Sequence, residues 1–237
     1  MRVRIALILL AIAVVASCES LGTTVAPRPT SPGADAPSAT RSSDAIETTR
    51  GADYLSDVEK QVIIEMNKVR TDPKAYAANY IEPMRALFHG TILQYPGEIG
   101  IQTNEGLSAL DECVRVLSST APVGVLSPKK GLALAARDQA KDQARTGATG
   151  HAGSDGSTMA DRLNRYGKWG LSAGENIDYG NSQARRIVIS LLIDDGVSSR
   201  GHRRNLLSGS FNFIGVAAGP HPVYHAMCVM DFAGAYE

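Results

Sequence analysis

Residues 173–196 read AGENIDYGNSQARRIVISLLIDDG, a strand pattern followed directly by an apolar helix pattern. Residues 175–179 are typical of a strand, and Ser182 opens the helix, which we expect to end near Gly196. The apolar positions that repeat at helical spacing are Ile187, Val188, Leu191 and Leu192. A strand joined to a helix by a short connection indicates helices packed on a sheet.

Helix and strand signals continue on both sides of this unit. Further helices are expected at about 57–70, behind a capping box at 56–59, and at 73–80, 106–118, 127–147 and 158–166. In the 127–147 helix, Ser127 and Pro128 are the expected N-cap and first position, and small residues allow close packing on a neighbour. Two strands, 213–218 and 225–233, follow with a turn at 219–222. The pattern predicts an α+β sandwich, with a small, mostly antiparallel sheet between helical layers.

Composition places the chain among ordinary globular proteins. It has 237 residues, 24 basic and 24 acidic, with 43% hydrophobic residues and a pI near 7.0. These values exclude collagen, coiled-coil and fully disordered classes. A net charge of zero gives no basic field, so nucleic acid is not an expected partner.

The amino end has the features of a lipoprotein signal peptide, residues 1–17. Arg2 and Arg4 are followed by an apolar run that is too short to span a bilayer, and residues 15–17 are small and directly precede Cys18. This arrangement resembles the lipobox of bacterial lipoproteins, which implies lipidation at Cys18. We therefore expect a protein of the bacterial cell envelope that is anchored to the membrane by lipid and lies outside the cytoplasm.

Residues 18–52 are rich in Ser, Thr, Pro and Ala, so we expect a disordered tether. Residues 53–237 are then one folded domain, expected to be a monomer. Outside the cytoplasm Cys113 and Cys228 could form a disulfide, or each could be a separately buried thiol. The sequence leaves both alternatives open.

Imidazole and carboxyl groups near glycine are the candidate functional groups. His151 and His202 lie in polar segments rich in glycine, and Glu175 opens an apolar strand. Asp195 continues the apolar face of its helix and should point inward, where a carboxylate needs a partner; Asp194 is the second choice. Two imidazoles can bind a divalent cation with carboxylates or water. The remaining histidines, His89, His221 and His225, are assigned structural or surface roles.

Four motifs in a fixed order carry a family resemblance: His-x-Gly-Ser-Asp-Gly-Ser at 151–157, Ala-Gly-Glu-Asn-Ile at 173–177, Gly-His-Arg-x-Asn-Leu-Leu at 201–207 and Ile-Gly-Val-Ala at 214–217. Their order resembles the CAP superfamily of cysteine-rich secretory, antigen 5 and pathogenesis-related 1 proteins, in its bacterial SCP-like branch. Asn67 to Arg70 is similar to the Asn-x-x-Arg helix that opens that domain. The resemblance covers residues 56–234 and assigns a CAP domain to 53–237.

The resemblance implies an α-β-α sandwich with a cleft lined by two histidines and two acids. These are His151, His202, Glu175 and a second acid without a clear match, for which Asp195 is the candidate and Asp194 the alternative. Family members are described as binding sterols, fatty acids or phospholipids, and some as binding zinc or magnesium through the histidines.

Three functions are compatible with these residues. The first is a binding module without enzymatic activity, whose cleft holds zinc or another divalent cation, or a small or lipid ligand. The second is a zinc-dependent peptidase or esterase with Glu175 as catalytic base. The third is a purely structural envelope protein. A serine mechanism through Ser154 or Ser157 is less favoured, because such serines usually cap turns.

Overall fold

The computed structural model describes residues 43–237. The predicted signal peptide, Cys18 and the larger part of the predicted tether lie outside these residues. None of the helices in 43–237 has the length and apolar character needed to cross a bilayer.

The described residues alternate helices and strands, which confirms the α+β class. The helices are α1 (Ser43–Ile46), α2 (Asp57–Thr71), α3 (Pro73–Tyr76), α4 (Leu107–Ser119), α5 (Lys130–Thr146), α6 (Met159–Asn164), α7 (Ala184–Ile193) and α8 (Gly201–Leu207). The strands are β1 (Phe88–His89), β2 (Ile92–Leu93), β3 (Ile101–Gln102), β4 (Ser127–Pro128), β5 (Trp169–Tyr179), β6 (Phe213–His221) and β7 (His225–Tyr236). A π-helical turn, Ala77–Ile81, and a 3₁₀ segment, Glu82–Leu87, follow α3.

The main sheet has the strand order β4-β6-β7-β5, so β5 is an edge strand. Only the β4–β6 pair is parallel among the pairs of this sheet. Helices α5 and α6 pack on one face, and α2, α7 and α8 pack on the other. Buried apolar clusters fill both interfaces, which gives the three layers of an α-β-α sandwich.

Helix α5 approaches the sheet as closely as its small residues predicted. At Gly215 of β6, a Cβ atom would lie 2.0 Å from the carbonyl carbon of Leu132. Only glycine fits under that helix, because real Cβ atoms do not come so close to backbone. The Ile-Gly-Val-Ala motif is therefore a packing motif.

Several boundaries differ from the sequence predictions: β5 begins at Trp169 instead of residue 175, and α3 ends at Tyr76 instead of residue 80. Three further boundaries have an identifiable cause. Ser127 and Pro128 form β4 instead of capping α5, because the Ser127 and Lys129 amides bond to Asn212 and Ile214. A turn was expected at 219–222, but strand β6 extends to His221 and the turn lies at 222–224. The pairing that forms β4 is nonlocal and is not visible in local sequence patterns. The extension of β6 pairs with residues 225–227 on the other side of a later turn.

The third boundary is the start of the domain, since residues 46–52, expected to be tether, pack on it. The Thr48 hydroxyl donates to the Leu126 carbonyl (2.7 Å), and Asn67 donates to the Ile46 carbonyl (3.1 Å). Thr49 and Ala52 are buried. The folded part therefore begins before residue 53.

Cys113 in α4 and Cys228 in β7 are free, buried thiols. Of the two alternatives left open by the sequence, the structure has the separately buried thiols and not the disulfide. Burial raises the pKa of Cys113 to about 12 and that of Cys228 well above its usual value. Both thiols are protonated at neutral pH and serve as apolar core groups.

Arg70 of α2 is fully buried and bonds only to backbone carbonyls among the described residues. Its guanidinium donates to Gly124 (2.7 Å), Leu206 (2.8 Å), Ser208 (2.9 Å) and Phe211 (3.0 Å). Burial lowers its pKa to about 10, so it stays charged at neutral pH. One side chain thereby joins three separate segments.

Replacing Arg70 by alanine should lower the free energy of unfolding by at least about 3 kcal/mol, because four carbonyls lose their donor and a cavity opens. Urea denaturation followed by circular dichroism measures this loss. The exposed Arg115 of α4 is the control; its alanine variant should change stability little. Similar losses at both positions would contradict the role assigned to Arg70.

Candidate functional site

Strand β5 carries the Gly-Glu-Asn motif at the edge of the main sheet. Glu175 and Asn176 are consecutive, so their side chains leave opposite faces of the strand. Glu175 meets α6 and the loop 147–157, and Asn176 meets α8. The two helical layers therefore contact β5 at two consecutive residues, one on each face of the strand.

The first predicted histidine pairs with the first predicted acid. His151 Nδ1 lies 2.7 Å from Glu175 Oε1, and Arg162 Nη2 donates to Glu175 Oε2 over 2.7 Å. The Glu175 side chain is 2% exposed and that of His151 is 39% exposed. Both carboxylate oxygens face protein donors, whereas the imidazole reaches solvent.

The backbone around His151 is held from α5. Gln139 and Gln143 both donate to the Gly150 carbonyl (2.9 and 2.6 Å), and the Tyr179 hydroxyl accepts from the Gly150 amide (2.9 Å). Arg162 donates to the His151 carbonyl (3.1 Å). His151 is thus fixed by its backbone as well as by Glu175.

The second histidine pairs with Asp194. His202 Nδ1 lies 2.7 Å from Asp194 Oδ1, and the His202 amide donates to Asp194 Oδ2 over 3.0 Å. The Asp194 side chain is 2% exposed and that of His202 is 15% exposed. Asp194 and Arg200 have φ values of 56° and 50°, which are strained for residues with a Cβ.

Asn176 connects the two pairs. Its side-chain amide donates to the His202 carbonyl (3.0 Å) and its oxygen accepts from Asn205 Nδ2 (2.8 Å). Gly174 leaves room for the Phe211 ring beside this contact, since a Cβ there would lie 3.0 Å from that ring. The Gly-Glu-Asn motif therefore orients one histidine directly and the other through α8.

The choice of Asp195 as second acid was wrong, and the alternative, Asp194, pairs with the histidine. Helix α7 ends at Ile193, so the helical phase that placed Asp195 inward does not extend to it. Asp195 accepts instead from the Asn104 and Glu105 amides (2.6 and 2.8 Å). These bonds connect the end of α7 to the segment before α4.

The segment between Asp194 and His202 is fixed by ion pairs. Arg200 contacts Glu105 and Glu112, each at 2.6 Å, and Arg203 contacts Glu112 at 2.9 Å. Arg203 also donates to the carbonyls of Leu192 and Ile193 at the end of α7. These bonds keep the strained residues in place.

The other histidines and the serines contact neither pair. His221 is buried and bonds to the Ala148 carbonyl (3.0 Å), and His89 and His225 are exposed. The Ser154 hydroxyl bonds to Asp142 and Arg145. A serine mechanism therefore lacks its base at Ser154.

Two further acids are buried in the strands of the main sheet. Burial raises the pKa of Asp178 in β5 to about 7, although the Asn181 and Ser190 side chains donate to it. Asp231 in β7 lies opposite Glu175, and burial and the charge of Glu175 hold its pKa well above the usual range. Sequence reasoning missed Asp231 and Arg162; the only signal for Asp231 was one acid in an apolar strand.

Each histidine–carboxylate pair leaves one imidazole nitrogen for a further contact. Within residues 43–237, no group of three or more His, Cys, Asp or Glu side chains is arranged to hold a metal ion. Each pair uses Nδ1 for its carboxylate and leaves Nε2. The Nε2 atoms of His151 and His202 are therefore the imidazole nitrogens that the carboxylates do not occupy.

Two cavities in the described part of the chain lie outside these pairs. One, of about 250 Å³, is lined by polar and charged residues of α5, α6 and the loop 153–157. The other, of about 320 Å³, is mainly apolar and lies near Val58, Ile187 and Met227. His151 and His202 line neither cavity.

The sequence profile of the cysteine-rich secretory protein (CAP) family matches residues 65–232. An outer surface protein from Borrelia burgdorferi is 19% identical, with coverage of 47% of this chain and 78% of that protein, and a TM-score of 0.40. An extracellular protein containing an SCP domain, from Bacillus anthracis str. Ames, is 27% identical (TM-score 0.37). That alignment covers 47% of this chain and only 34% of the other protein. No curated protein matches the sequence.

The left-handed backbone at Asp194 gives a testable difference between two variants. Asp194→Gly and Asp194→Ala both lose the bond to His202, but only alanine has the steric cost of a positive φ. We expect the alanine variant to be less stable by about 1 kcal/mol in urea denaturation. Equal stability of the two variants would show that the left-handed conformation is not maintained.

Proposed function

Because the chain belongs to the cysteine-rich secretory protein (CAP) family, we propose that it is an extracytoplasmic CAP-domain protein that binds a divalent metal ion through His151 and His202. A small ligand that donates hydrogen bonds to the same nitrogens is the second form of this proposal. The binding module is favoured over an enzyme.

The observation that carries this proposal is the pairing of each imidazole with a buried carboxylate at 2.7 Å. An ionised carboxylate can accept hydrogen bonds but cannot donate them, so it selects the imidazole tautomer with a proton on Nδ1. Nε2 then has a free lone pair. Carboxylates that orient metal-binding histidines in this way also raise their basicity.

A metal site with only two imidazole ligands from the protein would exchange its metal ion. Structural zinc sites have four protein ligands, and catalytic ones usually have three. With two nitrogen donors, water or a ligand must supply the remaining positions. We therefore propose a site that loads and releases its metal, with His151 as the more exposed ligand.

The geometry does not favour Glu175 as catalytic base of a hydrolase. One Glu175 oxygen contacts His151 and the other accepts from Arg162, and the side chain is 2% exposed. A general base must reach the proton it abstracts, directly or through one water. Glu175 is better placed to orient His151, so we assign it that role.

Lipid anchoring completes the proposal and is supported by the sequence alone. The basic and apolar start, the small residues 15–17 and Cys18 fit a lipobox, and the folded part begins near residue 46. About 25 residues would then separate the lipid from the domain. This length lets the site act away from the membrane surface.

Zinc should raise the melting temperature of the purified full chain. When its free concentration is a hundred times Kd, a ligand that binds only the native state adds about 2.7 kcal/mol to the free energy of unfolding. We expect His151→Ala and His202→Ala each to abolish the increase in differential scanning fluorimetry. His89→Ala, at an exposed histidine outside the pairs, should retain it.

Other results would change this assignment. An increase that persists in both alanine variants would place the metal elsewhere. A wild-type melting curve unchanged by zinc, magnesium and manganese would favour a purely structural envelope protein. Zinc-dependent cleavage of a peptide or ester library would favour the hydrolase.

Cys18→Ser should release the protein from the membrane fraction and remove the label after growth with radioactive palmitate. Lipoproteins need several acyl chains for stable anchoring, all of which depend on this cysteine. Cys113→Ala, at a cysteine buried in the domain, should remain in the membrane fraction and carry label. Membrane association of Cys18→Ser would contradict the lipobox.

A further inference from the structure

Asp231 is a fully buried acid at the centre of the main sheet. It lies in β7, where its backbone pairs with Glu175 of β5 and Gly215 of β6. Among residues 43–237, no donor group reaches either of its carboxylate oxygens. Buried carboxylates normally accept hydrogen bonds, so this one requires an explanation.

The side chains around Asp231 belong to the site. Directly paired residues of neighbouring strands project to the same face, so Asp231 and Glu175 share it. Arg162 donates to Glu175 over 2.7 Å, and its Nε has no acceptor in the described part of the chain. Two carboxyl groups and one guanidinium therefore occupy a single buried space.

Charge balance indicates where a proton resides. If both acids were ionised, one uncompensated negative charge would remain in a medium of low dielectric constant, which is costly. One proton neutralises the group. Glu175 holds the charge because Arg162 and His151 both bond to it, whereas Asp231 has no donor among the described residues.

A protonated Asp231 changes from an acceptor to a donor. Glu175, its cross-strand neighbour, then accepts the hydrogen bond. Burial and the charge of Glu175 raise the pKa of Asp231, and Arg162 partly opposes this. The Tyr236 hydroxyl is the other titratable group that senses its charge.

We propose that Asp231 is a positioning residue of the His151–Glu175 pair: a protonated carboxyl that donates to Glu175 and fixes its orientation toward His151. A carboxylate has about four lone-pair positions. With three donors, Asp231, Arg162 and His151, Glu175 cannot rotate. The part of this role that concerns metal affinity rests on the proposed function.

Two substitutions separate donation from charge and volume. Asp231→Asn retains a neutral donor, so its zinc affinity, measured by calorimetry on the full chain, should lie within about threefold of wild type. Asp231→Val removes the donor and should weaken zinc binding about 10- to 100-fold, as loss of such an orienting group does. Asp178→Asn, at a buried acid that contacts neither histidine, is the matched control and should bind zinc normally.

The retained proton is tested without metal. An acid whose pKa is higher in the folded than in the unfolded state makes the folded state bind the extra proton, so stability falls as pH rises. In wild type, this extra proton makes the folding constant fall tenfold per pH unit between about pH 5 and 8. Asp231→Asn should abolish that contribution. An unchanged slope would overturn the proposal, as would equal zinc affinity in wild type and Asp231→Val, or an equal loss in both Asp231 variants.

Failure of zinc binding is distinguishable from failure of this inference. If wild type binds no zinc, the proposed function fails, and ¹⁵N spectra of the His151 ring still test positioning. Wild type and Asp231→Asn should show the proton on Nδ1, and Asp231→Val a mixture of tautomers. A single Nδ1 tautomer in a folded Asp231→Val variant would overturn the role. If the valine variant does not fold, the pH dependence of Asp231→Asn decides.

Discussion

The buried guanidinium of Arg70 is the constraint on which the arrangement of the domain depends. It has no carboxylate partner among the described residues and is stabilised by four carbonyl dipoles. Those carbonyls lie in or next to irregular segments, where they would otherwise be buried without donors. Asn67, one turn earlier, bonds to the Leu126 backbone in the same way. Because Arg70 holds the end of the short helix α8, it also fixes His202 at the other end.

Elements with local signals could be predicted, and elements that depend on distant partners could not. The capping box at Ser56 and the helix end at Gly147 occur as expected, because each depends on residues within one turn. Strand β4 is decided by pairing with residues 213–214, far along the chain, whereas the extension of β6 depends on hairpin pairing with residues 225–227 just after the turn. The same reason explains residues 46–52. Their polar sequence is typical of a tether, but hydrogen bonds with Asn67 and Leu126 hold them on the domain.

The candidate site shows the same division. Glycine-rich surroundings identified His151 and His202, and the position of Glu175 in an apolar strand identified the first acid. The second acid required knowledge of one residue at a helix end: α7 stops at Ile193, and Asp194 turns back in a left-handed conformation. Arg162 and Asp231 meet Glu175 only through helix packing and strand register. Neither relation has a period that sequence reasoning can detect.

Each half of the site is complete without a ligand, and this determines what a ligand can contribute. His151 and Arg162 satisfy Glu175, and His202 satisfies Asp194, so both buried carboxylates already have partners within the domain. The halves belong to opposite helical layers and meet where Asn176 touches α8. A ligand held by both Nε2 atoms would add a second connection between the layers, across the edge of β5. Its binding free energy would therefore strengthen the interface between layers instead of completing either half.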